Sequence, residues 1–252
     1  MLKPLLSVLA LAVVGSVLGG SALWTAMGLR DELKIRGTAA VAQERPGSEF
    51  TEWSAYGGDP GGNRYAAAAQ INATNVTNLA LAWSYRSGAL DPHLNDSSVL
   101  NRSAFETTPI LVDGQLVFCT QFNEVISLDP GTGRENWRFN PDIDTERQPA
   151  NQYTCRGVSY WSSDSSPGYC SSRLFMGTVD AALWALDART GEPCDDFGED
   201  GRVLVEPDIA LQWPGELQIT SAPAVADALV ITGSALADNP RPHAPSGPVH
   251  AI

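Results

Sequence analysis

Two neighbouring residues near the carboxyl end of the sequence have side chains suited to a metal site. Asp238 and Asn239 follow the apolar run "ALVITGSAL", which predicts a strand ending in a turn. A carboxylate beside an amide carbonyl supplies the hard oxygen atoms that Ca²⁺ or Mg²⁺ prefers. The alternative is a plain Asx turn before Pro240. We therefore take Asp238 and Asn239 as candidate metal ligands.

Arg156 is the candidate anion-binding residue, in the short run "YTCRG". Its planar guanidinium can donate to two oxygen atoms of one anion, a geometry that a lysine ammonium does not match. The alternative is a surface salt bridge. The three histidines (His93, His243 and His250) have no partner spacing typical of ligation, and the lack of a C-x-x-C pair argues against zinc.

A repeat predicts the elements that must position these residues. "ISLDPGTGRENW" and "LWALDARTGEPC" place Asp129 and Asp187 58 residues apart (187 − 129), and "TTPILVDGQLVFCT" and "SAPAVADALVITGS" lie 114 apart (223 − 109). A fixed period indicates one supersecondary unit repeated in space. Short strands, a hairpin dipeptide at Asp113-Gly114 and one tryptophan per unit are typical of a β-propeller blade. A β-sandwich is the alternative.

About three such units fit the sequence. Ile252 occupies the position of Leu128 and Leu186, each of which is followed by the aspartate of the repeated turn. An open propeller exposes unpaired strand edges. We therefore expect residues 38–252 to be the N-terminal part of a longer, truncated propeller.

Residues 1–37 are predicted to form a membrane anchor or a signal segment with one hydrophobic helix. Leu5–Leu29 is nearly uninterrupted apolar sequence, and about 20 such residues can cross a bilayer. A secretory h-region is shorter, at about 7–15 residues. Arg30, Lys34 and Arg36 follow the segment, and the positive-inside rule alone would keep the residues after it in the cytoplasm.

Composition limits the partners and the compartment. The net charge of −13 argues against nucleic acid as a partner. An even number of cysteines (Cys119, Cys155, Cys170 and Cys194) is compatible with disulfides in an oxidising compartment. Of three possible pairings, Cys155–Cys170 is the first choice, because it closes a short loop rich in Ser, Pro and Gly. Four buried free thiols are the alternative.

The stretch "WSAYGGDPGGNRYAAAAQINATNVTNLALAWSYRSG" resembles the opening of the quinoprotein dehydrogenases that use pyrroloquinoline quinone (PQQ). The likeness continues through "FETTPILVDGQLVFCTQFNEVISLDPGTG", "TCRGVSYW", "LDARTGEPCDDFG" and "TSAPAVADALVITGSALADN", and so covers nearly everything after residue 50. It implies an all-β fold that is part of an eight-bladed, periplasmic propeller. This placement conflicts with the positive charges after the hydrophobic segment.

Within that family the sequence looks most like the membrane-bound glucose/quinate/shikimate branch. Cys155 stands alone before Arg156-Gly157, whereas the methanol and ethanol dehydrogenases carry two adjacent cysteines there. One position departs from the glucose type, because Gln152 stands where that type has a histidine.

The resemblance also implies cofactor contacts. Arg156 corresponds to the arginine that contacts the quinone side of PQQ. Glu106 corresponds to a glutamate that hydrogen-bonds the cofactor, and Thr220 to a threonine that donates to a cofactor carboxylate. Ala235 and Leu236 fall where backbone and small side chains approach PQQ.

The resemblance supports the metal assignment as well. Asp238 follows Thr220 by 18 residues (238 − 220), the same separation as between the threonine and the metal-binding carboxylate of the methanol enzymes. Ca²⁺ or Mg²⁺ held by Asp238 and Asn239 would polarise the quinone C5 carbonyl. No catalytic residue is assigned in this chain, because the family's base is an aspartate of a later blade, beyond Ile252.

The expected function is therefore PQQ-dependent oxidation of a sugar, polyol or cyclic hydroxy acid. Electrons would pass to ubiquinone in the inner membrane, with the propeller facing the periplasm. Two alternatives stay open: a non-catalytic PQQ-repeat propeller scaffold, and a quinoprotein alcohol dehydrogenase.

Overall fold

The described residues form four β-sheets, two of four strands, one of three and one of two. The computed structural model describes residues 52–146, 148–163, 168–205, 210–237, 239–240, 242–244 and 246–252. Helix is confined there to one turn, α1 (Ser97–Leu100), and two 3₁₀ turns, Val76–Asn78 and Asp91–His93. The prediction of a mostly β fold is confirmed.

The predicted hydrophobic helix within 1–37 lies outside the described residues. In the ranges that the structure does describe, no helix has the length and apolar character needed to cross a bilayer.

The first two sheets are four-stranded antiparallel meanders, in which each strand pairs with the next along the chain. Sheet 1 comprises β1 (Ile110–Val112), β2 (Gln115–Cys119), β3 (Val125–Leu128) and β4 (Glu135–Phe139). Sheet 2 comprises β5 (Ser159–Ser162), β6 (Ser172–Gly177), β7 (Ala182–Asp187) and β8 (Arg202–Leu204).

The strands after sheet 2 depart from this plan. They are β9 (Leu217–Gln218), β10 (Ala224–Ala226), β11 (Leu229–Gly233), β12 (Ala235–Leu236) and β13 (Val249–Ala251). Sheet 3 has the order β10-β11-β13, while β9 and β12 pair as a separate two-stranded sheet. The predicted count of eight blades stays a prediction, because the described residues form only these four sheets.

The repeated aspartate organises the turn that follows the third strand. The Asp129 carboxylate accepts from the Thr132 N–H at 2.7 Å and from its hydroxyl at 2.8 Å. The Gly133 N–H donates to the Asp129 carbonyl at 2.8 Å, and Asp187–Gly191 repeats that bond at the same distance. The hydrogen bonds from the Thr132 hydroxyl and N–H to the carboxylate hold the pKa of Asp129 below its ordinary value. The shared turn thus explains why the two sequences match.

Asp187 differs from Asp129 in being buried, with 1% of its surface exposed. Burial raises the pKa of its carboxyl. The N–H groups of Cys170, Arg189 and Thr190 donate hydrogen bonds to the carboxylate, and together they lower the pKa by more than burial raises it. The net pKa lies below the ordinary value, so Asp187 is ionised and cross-links the start of β6 to the turn after β7.

Tryptophan rings pack on the glycines of these turns. Trp137 of β4 covers Gly191 of sheet 2, whose φ is +76°. Trp83 covers Gly133 of sheet 1 in the same way, and a Cβ atom added at Gly133 would lie 2.5 Å from its ring. Trp83 belongs to residues 80–88, which form no strand. This segment therefore contacts sheet 1 as β4 contacts sheet 2.

Sheets 1 and 2 share one apolar core, onto which Trp137, Phe139, Tyr160 and Trp184 pack from its edges. Its buried members are Ile110, Val112, Val117, Cys119, Val125, Cys155, Val158, Leu174, Met176, Leu186 and Ala188. Because these side chains come from both sheets, the sheets lie face to face, as successive propeller blades do.

The predicted Cys155–Cys170 pairing is wrong. Cys119 pairs with Cys155 and Cys170 pairs with Cys194, so none of the four thiols is free. Cys155 lies in the core between sheets 1 and 2, whereas Cys170 lies with Cys194 in a second apolar cluster around Phe175. The two cysteines that are near in sequence therefore face different cores. Chain-entropy arguments give each disulfide about 3–4 kcal/mol of stabilisation.

Candidate cofactor-binding site

Three extended segments bring the sheets together along one edge. They are residues 102–108 before β1, 153–157 before β5 and 217–220, which contains β9. The Thr108 N–H donates to the Arg156 carbonyl at 3.1 Å, and the Arg156 N–H donates to the Thr220 carbonyl at 2.9 Å. Backbone bonds thus fix Arg156 between the segments that lead into sheets 1 and 3.

Three of the predicted site residues meet on these segments. Arg156 Nη2 lies 3.1 Å from Glu106 Oε2, and Arg156 Nη1 donates to Thr220 Oγ1 at 2.6 Å. We call Glu106, Arg156 and Thr220 the arginine cluster. Each of its members comes from a different segment, so the cluster forms only when all three segments are assembled.

The arginine cluster keeps part of its hydrogen-bonding capacity open. The Arg156 side chain is 47% exposed and that of Glu106 is 38% exposed. A guanidinium has five N–H donors, and only some of them are used in the contacts to Glu106 and Thr220. The Thr220 hydroxyl accepts from Arg156 and retains its own proton for donation. The cluster can therefore bind an anion at its open side.

Two residues next to the cluster support Glu106, and sequence reasoning did not assign them to the site. Gln152 Nε2 donates to Glu106 Oε1 at 3.1 Å, and the Thr154 hydroxyl donates to Glu106 Oε2 at 3.3 Å. Residues i and i+2 of an extended strand lie on one face. Since 152, 154 and 156 alternate in this way, that spacing was the signal that could have identified both.

A buried glutamine fixes the chain that carries Gln152. Gln218 of β9 is fully buried. Its amide donates to the Gln152 carbonyl at 3.2 Å and accepts from the Asn151 N–H at 3.2 Å. Each end of the amide is therefore satisfied, and β9 is held against residues 151–152.

Ala235 and Leu236 lie beside the arginine cluster without joining it. They form β12 and pair with Gln218 and Leu217 of β9, two and three residues before Thr220. Both are half-buried. The structure therefore places them next to the segment that carries Thr220.

The predicted metal site lies only partly within the described residues. Asp238 is not among the described residues, and Asn239 is exposed. Within the described ranges, no group of three or more His, Cys, Asp or Glu side chains could hold a metal ion.

The arginine cluster fits PQQ in its chemistry. PQQ is a flat quinone with three carboxylates, so its binding site needs cationic and hydroxyl donors together with an acceptor for its ring N–H. Arg156 and Thr220 supply the donors, and Glu106 supplies the acceptor. Charge-assisted bonds from a guanidinium to a carboxylate are among the stronger hydrogen bonds in proteins.

Comparison with known proteins identifies the family of the chain. The PQQ family "Glucose/ethanol/alcohol dehydrogenase, beta-propeller domain" matches residues 53–252. Quinoprotein glucose dehydrogenase A of Acinetobacter calcoaceticus is 33% identical over 82% of this chain and 27% of its own length. The glycerol dehydrogenase large subunit of Gluconobacter thailandicus is 36% identical over 83% of this chain and 28% of its own length.

A solved structure shows the same fold. The quinohemoprotein alcohol dehydrogenase from Comamonas testosteroni superposes with a TM-score of 0.59 at 29% identity, over 86% of this chain and 26% of that protein. The chain thus spans about a quarter of the length of these relatives. On the family match over residues 53–252 and on these likenesses, the chain belongs to the β-propeller family of the PQQ-dependent glucose, ethanol and alcohol dehydrogenases.

Proposed function

We propose that this chain is the N-terminal sector of a PQQ-dependent dehydrogenase that oxidises a sugar, polyol or cyclic hydroxy acid. The propeller faces the periplasm, residues 1–37 anchor it to the inner membrane, and electrons pass to ubiquinone. The observation that carries the proposal is the convergence of Glu106, Arg156 and Thr220 from three segments. Such convergence is required of a cofactor site and is not required of a scaffold.

Each residue of the arginine cluster has a distinct part in binding. Arg156 donates hydrogen bonds to paired oxygen atoms of the cofactor, and the Thr220 hydroxyl donates a hydrogen bond to a cofactor carboxylate. Glu106 fixes the guanidinium and accepts from the cofactor ring. Ala235 and Leu236 of β12 flank the bound ring. Once bound, PQQ supplies the two-electron chemistry that oxidises an alcohol carbon.

The candidate metal ligands belong to the same proposal. Asp238 and Asn239 follow β12 after one intervening residue, Ala237, and β12 is held to the segment that carries Thr220. Asp238 and Asn239 would hold a Ca²⁺ or Mg²⁺ ion, which would supply Lewis-acid polarisation of the quinone. The general base belongs to a later part of the propeller, outside these 252 residues.

Trp83 supports the interpretation of the chain as one sector of a larger ring. Its contact with Gly133 repeats the contact of Trp137 with Gly191, although residues 80–88 pair with no strand. This segment therefore occupies the place on sheet 1 that β4 occupies on sheet 2, as expected if the chain is one sector of a larger ring.

Titration of the full-length apoprotein with PQQ tests the proposal. We expect saturable quenching of tryptophan fluorescence in the presence of Ca²⁺ or Mg²⁺, with a Kd on the order of 1 μM or lower. The control ligand is the trimethyl ester of PQQ, which keeps the quinone but lacks the carboxylate charges. Because Arg156 and Thr220 act on those charges, the ester should bind at least about tenfold more weakly.

Two outcomes would contradict the proposal. Absence of saturable binding would leave the scaffold interpretation in its place. Equal affinity for PQQ and its ester would mean that the arginine cluster does not contact the cofactor carboxylates.

A further inference from the structure

The Cys119–Cys155 disulfide is adjacent in the chain to the arginine cluster. Cys155 precedes Arg156 in the chain, and its partner Cys119 ends β2 of sheet 1. Both cysteines are buried, at 2% and 0% exposure. The crosslink therefore joins sheet 1, which follows the segment that carries Glu106, to the segment that carries Arg156.

A second contact ties the far end of this disulfide to Glu106. The Cys119 N–H donates to Thr107 Oγ1 at 3.3 Å, and the same hydroxyl lies 3.4 Å from Cys119 Sγ. Thr107 is the next residue after Glu106. Glu106 and Arg156 are therefore connected in two ways. One connection runs through Thr107, its hydrogen bond with Cys119 and the Cys119–Cys155 disulfide, and the other is the direct ion pair at 3.1 Å.

The ion pair alone does not hold Arg156 in place. An ion pair as exposed as Glu106–Arg156 contributes little by itself, because water screens it and two long side chains lose freedom in forming it. A buried covalent crosslink has neither weakness. The disulfide is the covalent link between the segments that carry Glu106 and Arg156, and it adds to the single backbone bond from Thr108 to Arg156 at 3.1 Å.

We propose that the Cys119–Cys155 disulfide positions Arg156 for PQQ, so that the affinity for the cofactor depends on this crosslink through Arg156. The inference rests on the proposed function. Without the crosslink the segment before β5 has more freedom, and cofactor binding must then order the Arg156 side chain.

The second disulfide provides a matched control. Cys170 and Cys194 both lie within sheet 2 and its loops, in the apolar cluster around Phe175 and Leu183. The crosslinked residues are 24 apart in sequence, against 36 for Cys119–Cys155. Loop-closure entropy varies only with the logarithm of that length, so the two disulfides make similar contributions to stability.

The test compares two double variants of the full-length apoprotein, Cys119→Ala/Cys155→Ala and Cys170→Ala/Cys194→Ala. Both should lower the Tm by similar amounts. Loss of the first pair should weaken PQQ binding about tenfold, the cost of ordering one long side chain on binding, while loss of the second should change the Kd less than about twofold. Equal changes in Kd for both pairs would overturn the proposal.

Two further variants separate positioning from general stability. Cys119→Val/Cys155→Val refills the core, so it should recover the part of the Tm that the alanine variant loses to a cavity but not the part due to the lost crosslink, and it should not recover the Kd. It also serves if the alanine variant fails to fold. In an Arg156→Ala background, loss of Cys119–Cys155 should change the Kd less than about twofold, because the disulfide acts through Arg156. A tenfold change in that background would refute the inference. A wild-type protein that binds no PQQ would instead refute the proposed function.

Discussion

Replacing Arg156 with alanine is expected to raise the Kd for PQQ by about a hundredfold. The guanidinium donates to charged oxygen atoms of the cofactor, and two such bonds together contribute about 3 kcal/mol. Its loss also leaves Glu106 without its cationic partner at 3.1 Å. Fluorescence titration of the full-length apoprotein measures the change.

Two control variants define what the loss means. Arg156→Lys keeps the charge but not the planar fork, so its Kd should rise by about tenfold only. Arg134→Ala removes an equally charged but exposed residue from the β3–β4 turn, and it should leave the Kd unchanged. If the Arg134 and Arg156 variants weaken binding equally, the effect is one of overall charge and the assigned role of Arg156 is wrong.

Replacing Gly191 with alanine is expected to destabilise the fold by about 3 kcal/mol or more. Gly191 has a φ of +76°, a conformation that costs a side-chain-bearing residue about 1–2 kcal/mol. An added Cβ atom would also overlap the ring of Trp137, and relieving such an overlap costs about 1–3 kcal/mol. Thermal or urea unfolding of the full-length protein measures the loss.

Gly114→Ala separates the two causes. Gly114 has a similar φ of +71°, but nothing lies within 4 Å of an added Cβ atom. It should therefore cost only the backbone term, about 1 kcal/mol. Equal losses for the two variants would show that the Trp137 contact contributes nothing, and the packing of β4 on sheet 2 would have to be reconsidered.

The repeat in the sequence predicted the sheets well because its signals are local. The Asp113-Gly114 hairpin forms with both residues at positive φ, +49° and +71°. The matching turns after Asp129 and Asp187 are closed by bonds that span four residues. Interactions between residues so close in the chain depend on the local residue types, and they can therefore be predicted from the sequence alone.

The disulfides were predicted wrongly because their pairing depends on which core each strand faces. A short loop between Cys155 and Cys170 suggested a local crosslink, but Cys155 crosses to β2 of the preceding sheet. For the same reason the contacts of Gln152 and Thr154 with Glu106 were missed, since they span 46 and 48 residues.

The candidate site was predicted in part. The resemblance named Glu106, Arg156 and Thr220, and the structure brings all three together. The resemblance could not show that Ala235 and Leu236 pair with β9, because the paired residues are 17 and 19 apart in the chain (235 − 218 and 236 − 217).

The most direct test is the structure of the full-length protein with PQQ bound. The account predicts that an Arg156 nitrogen lies within about 3.2 Å of a PQQ oxygen atom. It also predicts that Glu106 and Thr220 contact the same cofactor molecule. A structure in which PQQ is bound elsewhere and Arg156 contacts only protein would contradict it.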